Sequence, residues 1–214
     1  MLNILIVDDH PIVRIGIREI VSTIPGNISI DEAGDGKETI EKVWNHNYDI
    51  ILLDISMPGR NGLEILKEIK SIKPHLKVLI LSFHPEDQLA VRAIQAGADG
   101  YMTKSCIPDD LVTAMKQIIK GEKYITTSLA SRLACYFEAG YETLPHEALS
   151  DREFEVMAMS AMGKTVKKIA VELNLSEKTI STYRSRVLNK MNMDSIAHLI
   201  QYSIKNKLID TELL

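Results

Sequence analysis

Five short apolar runs punctuate the first 120 residues: Ile4–Val7, Ile28–Ala33, Asp49–Leu53, Val78–Leu81 and Gly100–Met102. Between them, apolar positions recur at helical spacing near Ile12–Val21, Lys37–Trp44, Leu63–Ile69, Gln88–Ala96 and Asp110–Ile119. Apolar strands separated by amphipathic helices predict a parallel sheet covered on both faces, joined by right-handed crossovers. The expected fold is therefore an α/β doubly wound five-stranded parallel sheet. Pro11 falls at a helix N1 position, Gly34-Asp35-Gly36 breaks the chain after the second strand, and Gly97 follows the fourth helical pattern. From Tyr124 the pattern weakens; Ser128–Phe137 reads as one helix and 139–145 has turn composition.

A different pattern follows. Ser150 caps a helix predicted over Asp151–Met162, Gly163 ends it, and Thr165–Leu173 forms a second, short one. Asn174-Leu175-Ser176 turns the chain into a helix reaching about Met191, and Asp194 or Ser195 begins a last one through Lys205. Four helices and no strands make a small all-α domain, and a short helix, tight turn and longer helix is the helix-turn-helix pattern. The expected boundaries are 1–123 for the sheet domain, 124–148 for a partly helical linker and 149–214 for the helical domain.

The 214 residues, 45% apolar and 25% charged, suit a folded protein of two ordinary domains. No apolar run approaches the length that crosses a bilayer, and Asp8 and Asp9 interrupt the start too early for an export signal, so the expected location is the cytoplasm, without a membrane partner. Cys106 and Cys135 lack partners at zinc spacing and read as reduced packing residues. The net charge of −4 lies wholly in residues 1–130, while 131–214 sums to zero. Within the latter, Lys164, Lys167, Lys168, Lys178, Arg184, Arg186 and Lys190 face only Glu172 and Glu177, a local +5 that suits a phosphate backbone.

Ligands of open α/β sheets bind beyond the carboxyl ends of the strands, where strand order reverses. There Asp8 and Asp9 follow strand 1, Asp54 ends strand 3, Ser82 ends strand 4 and Lys104 follows strand 5. Three carboxylates, hard oxygen donors without Cys or His, describe a Mg²⁺ site with coordination positions left for water and phosphate. The ion would neutralise an arriving phosphoryl group, Lys104 would add a second positive charge, and Asp54 would be left as the nucleophile that becomes an acyl phosphate.

The segments ILIVDDHPIVR, DIILLDISMPGRNGLEIL, VLILS and AGADGYMTKS resemble the receiver domain of two-component response regulators, over residues 1 to about 121. The resemblance implies a flavodoxin-like fold, with Asp54 as phosphoacceptor in D-x-x-M-P-x-x-x-G (Asp54, Met57, Pro58, Gly62). Asp8, Asp9, Asp54 and the backbone carbonyl of Ser56 would hold Mg²⁺. Ser82 and Lys104 would bind phosphoryl oxygens, and Tyr101 would be the aromatic switch. Ser105 stands where many receivers carry proline.

The stretch from Leu149 to Met191 resembles the output domain of NarL/FixJ (LuxR-type) regulators. On the longer helix, Ile180, Val187 and Met191 share a stripe that should pack inward, leaving Lys178, Ser181, Thr182, Ser185 and Asn189 outside. The resemblance puts base contacts at Ser181, Thr182 and Ser185. Lys167, Lys178, Arg184 and Arg186 are phosphate candidates, and Thr179 completes the DNA-binding set. The family usually has Asn at Val166, often Glu at Lys168 and frequently His at Tyr183; Tyr183 suits either a phosphate contact or the core edge.

These features imply a phosphorylation-dependent DNA-binding transcription regulator, not an enzyme, with no catalytic residues in the turnover sense. Its expected partners are a sensor histidine kinase, double-stranded DNA carrying an inverted-repeat operator, and a second copy once phosphorylated; RNA polymerase is left open as another. Two alternatives compete: an aspartyl-phosphate phosphohydrolase, disfavoured because Ser56 stands where such enzymes place an acid, and a signalling protein whose helical domain binds protein instead of DNA.

Overall fold

The central strands are apolar on both faces because helices cover both, and their only buried acid stands at a strand end. The computed structural model describes residues 1–57, 61–82, 86–138, 144–206 and 208–209, without the side chains of 86–88, 132, 135–138 and 147. Pro58 therefore lies outside the described residues, as does most of the 139–145 turn. The chain divides into two compact units, Met1–Ala130 and Ser131–Leu214.

In the first, β1 (Leu2–Val7), β2 (Ile28–Ala33), β3 (Ile50–Asp54), β4 (Lys77–Ser82) and β5 (Gly100–Thr103) pair in parallel in the order β2-β1-β3-β4-β5. The order reverses between β1 and β3, so a crevice opens at their carboxyl ends. Helices α1 (Pro11–Ser22), α2 (Gly36–Asn45), α3 (Gly62–Ile72), α4 (Glu86–Gln95) and α5 (Ile107–Ile119) connect and follow the strands. One face of the sheet, through Ile4, Ile6, Ile50, Leu52, Leu79 and Leu81, packs on Ile17 and Val21 of α1 and on Leu111, Met115 and Ile118 of α5.

Every predicted strand and helix is present, with ends displaced by at most three residues. The larger displacements have prolines beside them. Pro108 sits in the first turn of α5, where a missing N–H costs nothing, so the helix begins before it. Pro74 restricts Lys73, and α3 runs on to Ile72 before stopping. Tyr124 adds a parallel bridge to Gly100 at the sheet edge, its N–H donating to Asp99 O at 2.9 Å. Cys106 corrects the expectation of a packing residue: the 3-10 turn Lys104–Cys106 leaves its thiol exposed, 3.2 Å from Thr103 Oγ1.

Helix α6 (Thr127–Glu138) crosses from one unit to the other along the chain. The second unit contains a 3-10 turn at Pro145–Ala148, then α7 (Asp151–Ala161), α8 (Val166–Glu172), α9 (Glu177–Lys190) and α10 (Ile196–Lys205). Ser150 and Glu153 close a capping box at the start of α7, and Thr165, Ser176 and Ser195 cap the next three helices. Asn174 takes a left-handed φ of 49° between α8 and α9, which asparagine tolerates better than most residues. Val156, Met159, Ile169, Ala170, Leu173 and Ile180 form the shared core of α7, α8 and α9.

Candidate functional site

Strand register brings the acids together. Val7 pairs with Leu53 across β1 and β3, so Asp8 and Asp54, each one residue further on, emerge at the same crevice. Both are buried, and Lys104 Nζ enters between them, 2.5 Å from Asp8 Oδ2 and 2.8 Å from Asp54 Oδ2. The Ser56 N–H donates to Asp54 Oδ1 at 3.0 Å. Burial pushes the Asp54 carboxyl above the usual carboxylate range, and Asp8 adds to this, while Lys104 and the Ser56 N–H pull it down.

The segment following Asp54 is held by close backbone contact. A Cβ on Gly62 would lie 2.4 Å from Ile55 Cα, and the Gly62 N–H donates to Ile55 O at 3.1 Å. Glycine is needed here for space. Buried Asn61 accepts the Leu63 N–H at 2.8 Å and starts α3 against this turn.

Asp9 stands beside the pair, and its Oδ1 is buried without a hydrogen-bond partner. Ligand atoms of Asp8, Asp9, His10 and Asp54 lie within 4.8 Å of one another. An unpartnered carboxylate oxygen beside two buried carboxylates fits a divalent cation, since one lysine cannot balance three carboxylates. Ser82 ends β4 fully buried, opposite Thr103, and Tyr101 is fully buried on β5, paired with Ile80. The structure thus gathers Asp8, Asp54 and Lys104 directly, with Asp9 adjoining, and sets Ser82 and Tyr101 on the adjacent strands.

In the second unit, Ile180, Val187 and Met191 are buried as the helical stripe predicts, and Lys178, Ser181, Thr182, Ser185 and Asn189 are exposed. Lys167 and Arg186 are exposed as well; Arg184 and Thr179 are half-buried. Thr179 belongs to the cap, its Oγ1 2.8 Å from Ser176 Oγ. The hydroxyls of Ser181, Thr182 and Ser185 donate to the carbonyls four residues back, at 2.9, 2.9 and 3.1 Å. Their oxygens therefore face outward as acceptors. Tyr183 packs partly against the core, the second of its two expected roles.

Comparison with known proteins decides the family. Residues 4–116 match the response regulator receiver domain, and residues 147–203 match the luxR family of bacterial regulatory proteins. Response regulator UvrY of Escherichia coli is 35% identical over 215 aligned residues, covering 100% of this chain and 99% of its own. The chain is a two-component response regulator of the NarL/FixJ family. Response regulator GacA of Pseudomonas aeruginosa is 33% identical over 98% of the regulator and 99% of its own chain. RcsB of Salmonella enterica serovar Typhimurium, bound to promoter rprA with the phosphomimetic BeF₃⁻, superposes with a TM-score of 0.62 at 28% identity, covering 94% and 97% of the two chains. The regulator is accordingly a DNA-binding transcription regulator, its receiver the first unit and its output domain in the second.

Three features escaped the sequence. Arg14 Nη1 donates to the Asp8 carbonyl at 2.6 Å, while Arg14 and Arg18 both bind Glu32 on β2. The two arginines hold the Glu32 carboxyl below its usual range and brace the acidic loop. Their i, i+4 spacing is visible in the sequence, but not the strand they face. His10 approaches the carboxylates and corrects the reading of a donor set without histidine; only its adjacency to Asp8 and Asp9 hinted at the placement. The basic stripe needs correction: Lys164 pairs with Glu172 at 2.5 Å and Lys190 with Glu153 at 2.6 Å, so two of its seven cations serve the fold. Glu153 lies eleven residues before Lys164, on the preceding helix, so the local charge of Lys164–Lys190 leaves it out.

Proposed function

We propose that Asp54 is the phosphoacceptor of the regulator and that a partner histidine kinase supplies the phosphoryl group. An Asp54 carboxylate oxygen attacks phosphorus, the P–N bond to the kinase imidazole breaks, and an acyl phosphate forms as the imidazole leaves. Asp8, Asp9, Asp54 and the backbone carbonyl of Ser56 would hold Mg²⁺, which supplies positive charge against the transferring oxygens. Lys104 gives up its Asp54 contact to pair with a phosphoryl oxygen. The Ser82 hydroxyl binds a second oxygen, and Tyr101 repacks in response. The observation supporting this most is Lys104 Nζ lodged between two buried carboxylates, a cation already where phosphoryl charge would arrive.

The acyl phosphate then favours a homodimer whose two output domains grip an inverted-repeat operator, with 124–148 as the linker between receiver and output domain. Ser181, Thr182 and Ser185 read bases, with Thr179 supporting the helix start; Lys167, Lys178, Arg184 and Arg186 take phosphates. RNA polymerase is the further partner wherever the regulator activates, and its work lies in the cytoplasm. It acts by switching, not by turnover of a substrate.

Incubation with a small-molecule phosphodonor and Mg²⁺ tests the assignment. Wild-type protein is expected to gain one acid-stable, base-labile phosphoryl group by mass spectrometry, and Asp54→Ala none. Equal labelling of the variant would remove Asp54 from the role.

A further inference from the structure

The acidic site has a donor that phosphoryl transfer leaves idle. His10 is the N-cap of α1, yet its side chain makes no capping hydrogen bond. Its Nδ1 lies instead 2.9 Å from Asp9 Oδ1 and 3.4 Å from Asp8 Oδ1. The close approach to Asp9 lacks hydrogen-bond alignment, because Asp9 Oδ1 remains without a partner. Two atoms that bind one metal ion at right angles, each about 2.1 Å away, stand about 3 Å apart. The spacing of His10 Nδ1 and Asp9 Oδ1 is that of a chelating pair.

We propose that His10 is a nitrogen ligand that opens the acidic site to borderline transition ions such as Co²⁺ and Zn²⁺; this rests on the site being the Mg²⁺ site assigned above. Carboxylates and carbonyls alone suit a hard ion, whereas imidazole favours the later first-row metals over Mg²⁺. The His10 side chain is 59% exposed, so it can turn toward a borderline ion and turn away from a hard one without disturbing the core. One crevice then holds two kinds of ion by two donor sets, sharing Asp8, Asp9 and Asp54 and differing in His10.

The test uses untagged full-length protein titrated with CoCl₂, followed by visible absorption and calorimetry, with MgCl₂ titrated in parallel and as competitor. Wild-type protein is expected to bind Co²⁺ more tightly than Mg²⁺, with excess Mg²⁺ displacing it. His10→Ala and His10→Asn should each lower Co²⁺ affinity about ten-fold or more and leave Mg²⁺ affinity within about two-fold. Unchanged Co²⁺ affinity in both variants, or Co²⁺ that Mg²⁺ does not displace, overturns the role of His10 and leaves the Mg²⁺ assignment standing. Wild-type protein that binds neither ion overturns both.

Discussion

A carboxylate held as deeply as Asp54 is a strain on the fold, one that the proposed phosphoacceptor role accounts for. Its folded-state pKa is raised chiefly by burial, so the folded protein binds this proton more tightly than the unfolded chain does. The sign follows: ionised Asp54 opposes folding above the ordinary 3.8, fully so once pH exceeds the raised value, and the penalty fades on acidification. Asp54→Asn is therefore expected to stabilise the metal-free receiver at neutral pH by about 1–2 kcal/mol, with a gain that shrinks as pH falls. Thermal unfolding at several pH values checks it, and added Mg²⁺ should stabilise the wild type more than the variant. At this scale, residues were legible wherever strand ends located them: Asp8, Asp54, Ser82 and Lys104 follow from periodicity and the rule that ligands gather beyond the carboxyl ends. His10 and Arg14 were not, since which neighbour a side chain meets depends on register and rotamer. Cys106 was misjudged because a small thiol reads as apolar whether or not a turn lifts it outward.

The elements were set more firmly than their mutual bonds. Helix starts carried Ser150, Thr165, Ser176 and Ser195, and Gly163 and Asn174 followed the first two helices, so every start and two of the stops in the output domain could be read from local chemistry. What could not be read was how one element secures another. Arg152 pairs with Glu155 and donates to Leu173 O at 3.1 Å, tying α7 to the carboxyl end of α8. Glu153 both completes the α7 capping box and pairs with Lys190 at the end of α9. Burial alone would raise its pKa, yet Lys190 and the Ser150 N–H and hydroxyl leave it below the usual range. A lowered carboxylate adds stability above its unfolded value, ordinarily 4.5, and loses it as pH falls through the folded one. Glu153→Gln should thus cost about 1 kcal/mol at pH 7 and little at pH 3, seen as converging denaturation midpoints of the full-length proteins. A constant difference would mean that shape alone, not charge, matters here.

For the whole molecule, charge is divided between the two jobs the chain performs. The receiver segment holds the net −4, and residues 131–214 are neutral overall, with cations concentrated on α8 and α9. With only a few uncommitted cations on each protomer, such a molecule is expected to bind DNA more weakly as a single copy than as a pair. Subtracting Lys164 and Lys190, which bind acids of their own unit, leaves five cations, of which Lys167, Lys178, Arg184 and Arg186 are the proposed phosphate contacts. Each phosphate neutralised contributes roughly 0.9 to the slope of log K against log salt, so a monomer should show about −3.6 and a two-fold dimer about −7. The expected outcome is that beryllium fluoride with Mg²⁺, standing in for the acyl phosphate, shifts the regulator toward dimers in sedimentation and steepens its salt slope on operator DNA toward the larger value. Lys178→Ala, lost from both copies, should flatten that slope by about 2 while leaving dimerisation intact. Thr182→Ala should instead weaken binding to the preferred operator by about 1–3 kcal/mol at the contacted base pair without altering the slope. A regulator whose affinity ignored salt would be gripping protein through α9, and one whose slope failed to respond to beryllium fluoride would not be coupling Asp54 to DNA through pairing.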